Sequence, residues 1–275
     1  GVNQSSQTYV AWCFNAGSGS ETSGTGTGSI TNVAYKANTD SGFSIVKYTG
    51  SGSNGTVTHG LSNPPTLIIV KRRTTTGGNW SVYTSTTGNT KYLKLHSSDA
   101  AKTPSQDGYG SGTFWNETDP TSSVFSLGTI GDTNSSGDDF IAYCFHDVAG
   151  YQKIGTYQGT GNSEGNFVET GFEPAFLMIK SSSNAEPWFL LDNKRDVANP
   201  RDNRLMADSS AAEDDGSVHS VDFLSNGFKL NGTLGDGTNG NGVDYIYLAI
   251  AADPDTTTPT VENSFDVVTY TGNGS

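Results

Sequence analysis

The sequence predicts an all-β fold: two tandem antiparallel β-sandwich repeats of jelly-roll type, flanked by strands that belong to neighbouring repeats. Three observations lead there. The first is composition. Over 275 residues only 33% are hydrophobic and 16% charged, with 35 Gly and 9 Pro. A helical bundle would need abundant Ala, Leu, Glu and Lys instead. Yet 13 Phe, 12 Tyr and 4 Trp are too many for a chain that buries nothing. Short strands joined by turn-forming residues satisfy both constraints. The second observation is an internal repeat, and the third is period-two alternation inside it.

The repeat opens with Ile45-Val-Lys-Tyr48-Thr-Gly50-Ser-Gly52, which returns as Ile154-Gly-Thr-Tyr157-Gln-Gly159-Thr-Gly161 and again as Val267-Val-Thr-Tyr270-Thr-Gly272-Asn-Gly274. Later blocks keep step. Pro65-Thr-Leu-Ile-Ile-Val-Lys71 matches Pro174-Ala-Phe-Leu-Met-Ile-Lys180, and Trp80 matches Trp188. Val124-Phe-Ser-Leu127 matches Gly227-Phe-Lys-Leu230, and Phe140-Ile-Ala-Tyr-Cys-Phe145 matches Tyr245-Ile-Tyr-Leu-Ala-Ile250. A period of about 110 residues exceeds that of solenoids, so each copy is expected to be a domain with its own core.

Element by element, residues 1–15 contain Tyr9-Val-Ala-Trp-Cys-Phe14, which has the form of the last strand of a preceding repeat. Residues 16–41, rich in Gly, Ser and Thr, read as a linker. Repeat one spans 42–149. Its first strand alternates Phe43, Ile45, Lys47 against Ser44, Val46, Tyr48, and Leu67-Ile-Ile-Val70 reads as a strand covered on both faces. Repeat two spans 150–255, with Phe176-Leu-Met-Ile179 in the same role and a hairpin turning at Asn226-Gly227. Residues 256–275 complete the pattern as a linker and the first strand of a following repeat. Helix is tolerated only over 97–102 and 209–214, about one turn each.

Charge excludes some partners. With 15 basic and 28 acidic residues the net charge is −13, which repels nucleic-acid backbones and anionic membranes. No apolar run is long enough to cross a membrane as a helix. The start, Gly1-Val-Asn, has neither Met nor a charged-then-apolar leader, as expected of a fragment or a processed product. Cys13 and Cys144 occupy matching places in different repeats, so they are expected to be separate, buried, reduced thiols.

Few residues carry chemistry. Gly50-Ser-Gly52-Ser-Asn-Gly55 satisfies G-x-G-x-x-G, but Thr56-Val-Thr follows where a dinucleotide site needs a helix, so a glycine-rich hairpin loop is expected. Asp132, Asn134, Ser136 and Asp138 place oxygen donors at alternate positions, as in the front half of a Ca²⁺ loop; a plain turn explains the same residues. The corresponding turn of repeat two runs from Asp236 to Asp244. Glu169, Glu173, Asp192 and Asp196 would serve a glycosidase pair only if two of them converged. The histidines His59, His96, His146 and His219 have no counterparts between repeats. Tyr109, Phe114, Trp115 and Asn116 lie in a glycine-rich loop without an equivalent in repeat two. Exposed rings with an adjacent amide suit a glycan contact; rings capping the sandwich edge are the alternative. The matching segment of repeat two, Leu191-Asp-Asn-Lys-Arg-Asp196, is expected to be solvated or to salt-bridge a neighbour.

Taken together, Thr8-Tyr-Val-Ala-Trp12, Gly42-Phe-Ser-Ile-Val-Lys-Tyr-Thr-Gly50, Pro120-Thr-Ser-Ser-Val-Phe-Ser-Leu-Gly128, Phe140-Ile-Ala-Tyr-Cys-Phe145 and Ser209-Ser-Ala-Ala-Glu213 resemble a module of large virion proteins of aquatic bacteriophages. There it forms part of tail fibres, beside lectin-like jelly-roll domains. The resemblance covers nearly the whole chain. It implies an extracellular appendage at the virion surface, homo-oligomeric and in contact with other virion subunits, and it transfers no catalytic residue. A non-enzymatic module adhering to host-surface glycans is therefore expected, with weak contacts multiplied along an array. A purely structural spacer and a polysaccharide depolymerase are the alternatives.

Overall fold

The structure is a computed structural model that describes residues 3–24, 26–75, 77–231, 237–251 and 265–274. Its first ten strands are β1 (Thr8–Phe14), β2 (Thr22–Ser23), β3 (Val33–Asn38), β4 (Phe43–Thr49), β5 (Gly55–Thr58), β6 (Leu67–Arg72), β7 (Trp80–Thr84), β8 (Leu93–Lys94), β9 (Val124–Leu127) and β10 (Asp139–Phe145). The others are β11 (Gln152–Gln158), β12 (Phe167–Glu169), β13 (Pro174–Ser181), β14 (Trp188–Asp192), β15 (Leu205–Met206), β16 (Val221–Leu224), β17 (Gly227–Leu230), β18 (Asp244–Ala251) and β19 (Phe265–Thr271). The helical turns are short: 3₁₀ turns at Pro104–Asp107 and Ser217–His219, and α1 at Gly131–Asn134. The stretches at 97–102 and 209–214 are not helical. Ala101 donates to Ser182 O across the repeats and Lys102 to Tyr92 O, so their amides serve neighbouring chain segments instead.

Each repeat is a two-layer antiparallel sandwich. In repeat one the sheet β2-β3-β4-β10-β6-β7-β8 covers β5-β9, and in repeat two β11-β18-β13-β14-β15 covers β12-β17-β16. The fifth sheet is a ribbon of β1 and β19. Alternation dictates the packing. Ile68 and Val70 of β6 point into repeat one's own core with Val46, Val57, Phe125 and Phe140. Leu67 and Ile69, one step out of phase, join a second cluster that continues through repeat two and takes in Trp12 and Phe14 of β1. Repeat one thus keeps a core of its own, as expected, but its other sheet face shares one cluster with repeat two, which the expectation of independent cores did not include. A sheet with both faces apolar must bury both, and the repeats do so against each other. Trp188 Nε1 donates to Lys94 O at 2.9 Å, and Lys180 Nζ to Ser98 O at 3.1 Å, across the same junction.

Four further expectations need correction. Residues 16–41 are not simply a linker. β3 pairs with β4 along its length, and Ile30 and Val33 enter the core of repeat one, with Tyr35 and Ala37 packed against it. The hairpin of repeat two turns at Ser225-Asn226, one residue early. Gly227 already pairs with Leu224, and a Cβ there would collide with Val168 O. The glycine-rich stretch at 50–55 is not a hairpin loop, because it carries the chain from one layer (β4) to the other (β5). Cys13 is exposed; only Cys144 is buried, and burial pushes its thiol up to about 12.

The repeated Tyr-x-Gly-x-Gly motif builds a corner that occurs three times. In repeat one Tyr48 OH donates to Thr133 O at 2.6 Å and stacks on Phe140, with centroids 5.2 Å apart. Ser51 N donates to Asn134 Oδ1 at 2.8 Å. Gly50 is obligatory because a Cβ would strike Ser135 O, and Gly52 takes a φ of 72°. Repeat two copies every part: Tyr157 OH to Thr238 O at 2.7 Å, Tyr157 on Tyr245 at 4.9 Å, and Thr160 N to Asn239 Oδ1 at 2.9 Å. The ribbon copies it again from opposite ends of the sequence. Tyr270 stacks on Tyr9 at 5.0 Å, Asn273 N donates to Asn3 Oδ1 at 3.3 Å, and Gly272 presses on Gln4 O. The register agrees as well: Tyr9↔Tyr270, Phe140↔Tyr48 and Tyr245↔Tyr157. Residues 265–271 thus pair within this chain as a first strand and 8–14 as a last one, while 256–264 lie outside the described residues.

Candidate functional site

The glycine-rich loop of repeat one is fixed by its ends. Thr103 N donates to Gln106 Oε1 at 2.8 Å, closing the 3₁₀ turn that Pro104 begins. Gly108 ends it in the left-handed region, at φ 81°. The turn delivers Asp107 to Tyr92 OH, to Lys94 Nζ and, at 3.1 Å, to Lys102 Nζ. The Lys94 and Tyr92 hydrogen bonds hold the Asp107 carboxyl well below the usual carboxylate range. Beside it Asp132 Oδ2 accepts from Tyr109 OH at 2.5 Å and from Asn79 Nδ2 at 2.6 Å. Burial, reinforced by Asp132, pushes the Tyr109 phenol up. The loop is pinned to the sandwich by charge-assisted hydrogen bonds.

This anchoring decides the fate of the expected glycan residues. Phe114 and Trp115 are each only 2% exposed. Phe114 stacks on Tyr92 at 3.8 Å, Trp115 meets Tyr83 edge-on, and Trp115 Nε1 donates to Lys91 O. Both rings are core, so neither offers a face to a sugar; edge-capping, the alternative, is what the packing shows. Tyr109 is half-buried with its hydroxyl engaged, and Asn116 is half-buried, with φ 51° followed by φ 48° at Glu117. Above the rings a cleft of about 340 Å³ opens between 89–91, 103–105 and 110–117. Its rim carries Thr90, Lys91, Thr103, Ser105, Ser111, Thr113 and Glu117. Hydroxyls with one cation and one carboxylate form a wall that can exchange hydrogen bonds with a polyhydroxylated ligand. The signal missed in the sequence is the spread of Ser and Thr across three separate turns, which only the fold assembles.

The four proposed Ca²⁺ donors do not converge. Asn134 is fully buried and spent on the corner: its Nδ2 donates to Ser53 O and Gly128 O, both at 2.7 Å. Asp132 faces Tyr109, whereas Asp138 turns to Arg72 at 3.3 Å and to Thr74 Oγ1. Among the described residues no cluster of three or more His, Cys, Asp or Glu side chains is placed to hold a metal ion. In repeat two's turn Asp236 lies outside the described residues, and Asn239 clamps Thr160 as Asn134 clamps Ser51.

Of the acidic residues considered for glycoside chemistry, Asp192, Asp196 and Glu169 are likewise engaged and Glu173 is exposed. Asp192 is fully buried and bound to Arg195 Nε at 2.6 Å, with Lys194 N and Arg195 N also donating to it. Asp196 accepts from Asp202 N, and Glu169 from Asn226 Nδ2. The charged loop is therefore not simply solvated. Arg195 bridges Asp192 and Glu213 and lies over the Trp12 ring, tying repeat two to the ribbon. His59 is enclosed, with Nε2 on Thr121 O and Nδ1 accepting from Leu61 N; burial lowers its pKa to about 4.

No curated protein and no solved structure matches the chain. Residues 1–254 match the family described as Domain of unknown function (DUF7483), and the chain belongs to that family.

Proposed function

We propose that this family member is a non-catalytic adhesion module of a virion appendage, which takes a host-surface glycan in the cleft between 89–91, 103–105 and 110–117. The observation that carries the reading is the cleft itself: about 340 Å³, rimmed by hydroxyls from three turns and held open by the Asp107 and Asp132 networks. Function on loops over a stiff β scaffold is a common arrangement, and a neutral polyhydroxylated ligand suits a rim without a dominant charge. The appendage and its extracellular setting rest on the sequence resemblance. Single sites of this kind bind weakly, so the useful affinity comes from many copies presented together.

A multivalent display of the protein on beads, screened against an array of surface polysaccharides, tests the reading. Binding to at least one glycan class, lost in a Lys91→Ala/Glu117→Ala variant of unchanged melting temperature, is the expected result. Silence across the array at high presentation density refutes it. A second reading, a structural spacer with no ligand, is favoured by the burial of Phe114 and Trp115, which removes the stacking surface many sugar sites use.

A further inference from the structure

The ribbon is one layer of a sandwich whose other half is missing among the described residues. Its corner repeats the ring stack, the Asn clamp and the glycine turn of the two complete repeats, yet its outward face differs in one respect. Where Val46 and Tyr48 are 0% and 2% exposed under β5-β9, their ribbon equivalents Val268 and Tyr270 are 43% and 39% exposed. Cys13, in the place of fully buried Cys144, is also open. The opposite face is occupied, since Trp12 meets Phe176 and Phe14 meets Phe43. The edge is unfinished too. β10 is flanked by β4 and β6, and β18 by β11 and β13, but among the described residues β1 has only β19.

We infer that the edge of β1 opposite β19, which no other described strand pairs with, and the outer face of β1 are a docking surface for one apolar strand of the type Pro-x-(four aliphatic or aromatic residues)-Lys, supplied by a further repeat of this kind and lying antiparallel to β1. The occupant is specified by the complete repeats. In both, the strand on this edge begins at such a proline block, and its register is the same: Cys144↔Ile68 and Ala142↔Val70 in one, Ala249↔Leu177 and Tyr247↔Ile179 in the other. Carried to the ribbon, that register sets Cys13 and Ala11 opposite aliphatic residues two apart. Strand addition of this type takes its affinity from main-chain hydrogen bonds and its specificity from alternate side chains.

The test uses the intact protein and a synthetic peptide with the sequence of residues 65–72. Hydrogen exchange across 8–14 is expected to slow at least tenfold with this peptide and not with a scrambled one. Alkylation of Cys13 is expected to slow in parallel, and Ala11→Glu to abolish both effects. Unchanged exchange at millimolar peptide, or equal protection by the scrambled peptide, overturns the inference. So does a protein that is dimeric alone with 8–14 already protected, because the ribbon would then be taken by a second copy.

Discussion

Asn134→Ala removes the side chain that closes the corner of repeat one, and its cost can be worked from the contacts. Four hydrogen bonds disappear: from Ser51 N, to Ser53 O and to Gly128 O at 2.7–2.8 Å, and a longer one from Ser51 Oγ at 3.4 Å, whose hydroxyl keeps its bond to Ser53 O. The Gly128 carbonyl is left buried without that donor, which costs about 2 kcal/mol, while the two partly exposed groups recover water and cost roughly 0.5 kcal/mol each. The sum is about 3 kcal/mol, or a melting temperature lower by about 6–12 °C in a chain of this size. Asn239→Ala should behave alike, since the same clamp recurs on Thr160 N and Asn162 O. Asn3→Ala, at the solvent-exposed third corner, should cost under about 1 kcal/mol. Calorimetry on the three variants checks the ranking. A cost below about 1 kcal/mol for Asn134→Ala, or one equal to it for Asn3→Ala, would refute the corner as a stabilising unit.

Other expectations follow from burial. His59 is neutral in the fold with a pKa lowered to about 4, whereas the unfolded chain protonates near 6.5, so stability is lost as pH falls from about 6.5 towards 4. At roughly 1.4 kcal/mol per pH unit the loss approaches about 3 kcal/mol, and a His59→Gln variant should flatten that part of a melting-temperature profile. Cys13 should react promptly with an aromatic disulfide reagent at pH 8, while Cys144, pushed up to about 12 and fully buried, should react at least about a thousandfold more slowly until the protein unfolds. Gly50→Ala and Gly159→Ala place a methyl group against Ser135 O and Gly240 O respectively, and each should lower stability by more than about 2 kcal/mol in urea titrations.

What the sequence made legible was whatever repeated. The Tyr-x-Gly-x-Gly blocks stand out because a corner with a carbonyl against the Cα admits only glycine, and the continuous apolar run at 67–70 because both faces of β6 are buried. Asn134 was legible only as an oxygen donor. A turn that binds a cation and one that clamps a backbone use the same residue types, and its partner Ser51 lies far away in sequence. Phe114 and Trp115 look available because the loop has no counterpart, but Tyr83 and Tyr92 from distant strands consume their faces. The strand at 33–38 hides among polar neighbours, since one of its edges meets β4 and its side chains alternate weakly. The pairing of β1 with β19 leaves no local trace, being a contact between opposite ends of the sequence.

That last pairing fixes how the molecule would carry load. Residue 3 and residue 273 are hydrogen-bonded neighbours, so anything attached beyond either would leave from one point. Tension applied there opens the ribbon rung by rung, starting at Thr8 and Thr271, rather than shearing all its rungs at once. The ribbon therefore yields before the strands of either sandwich are loaded together.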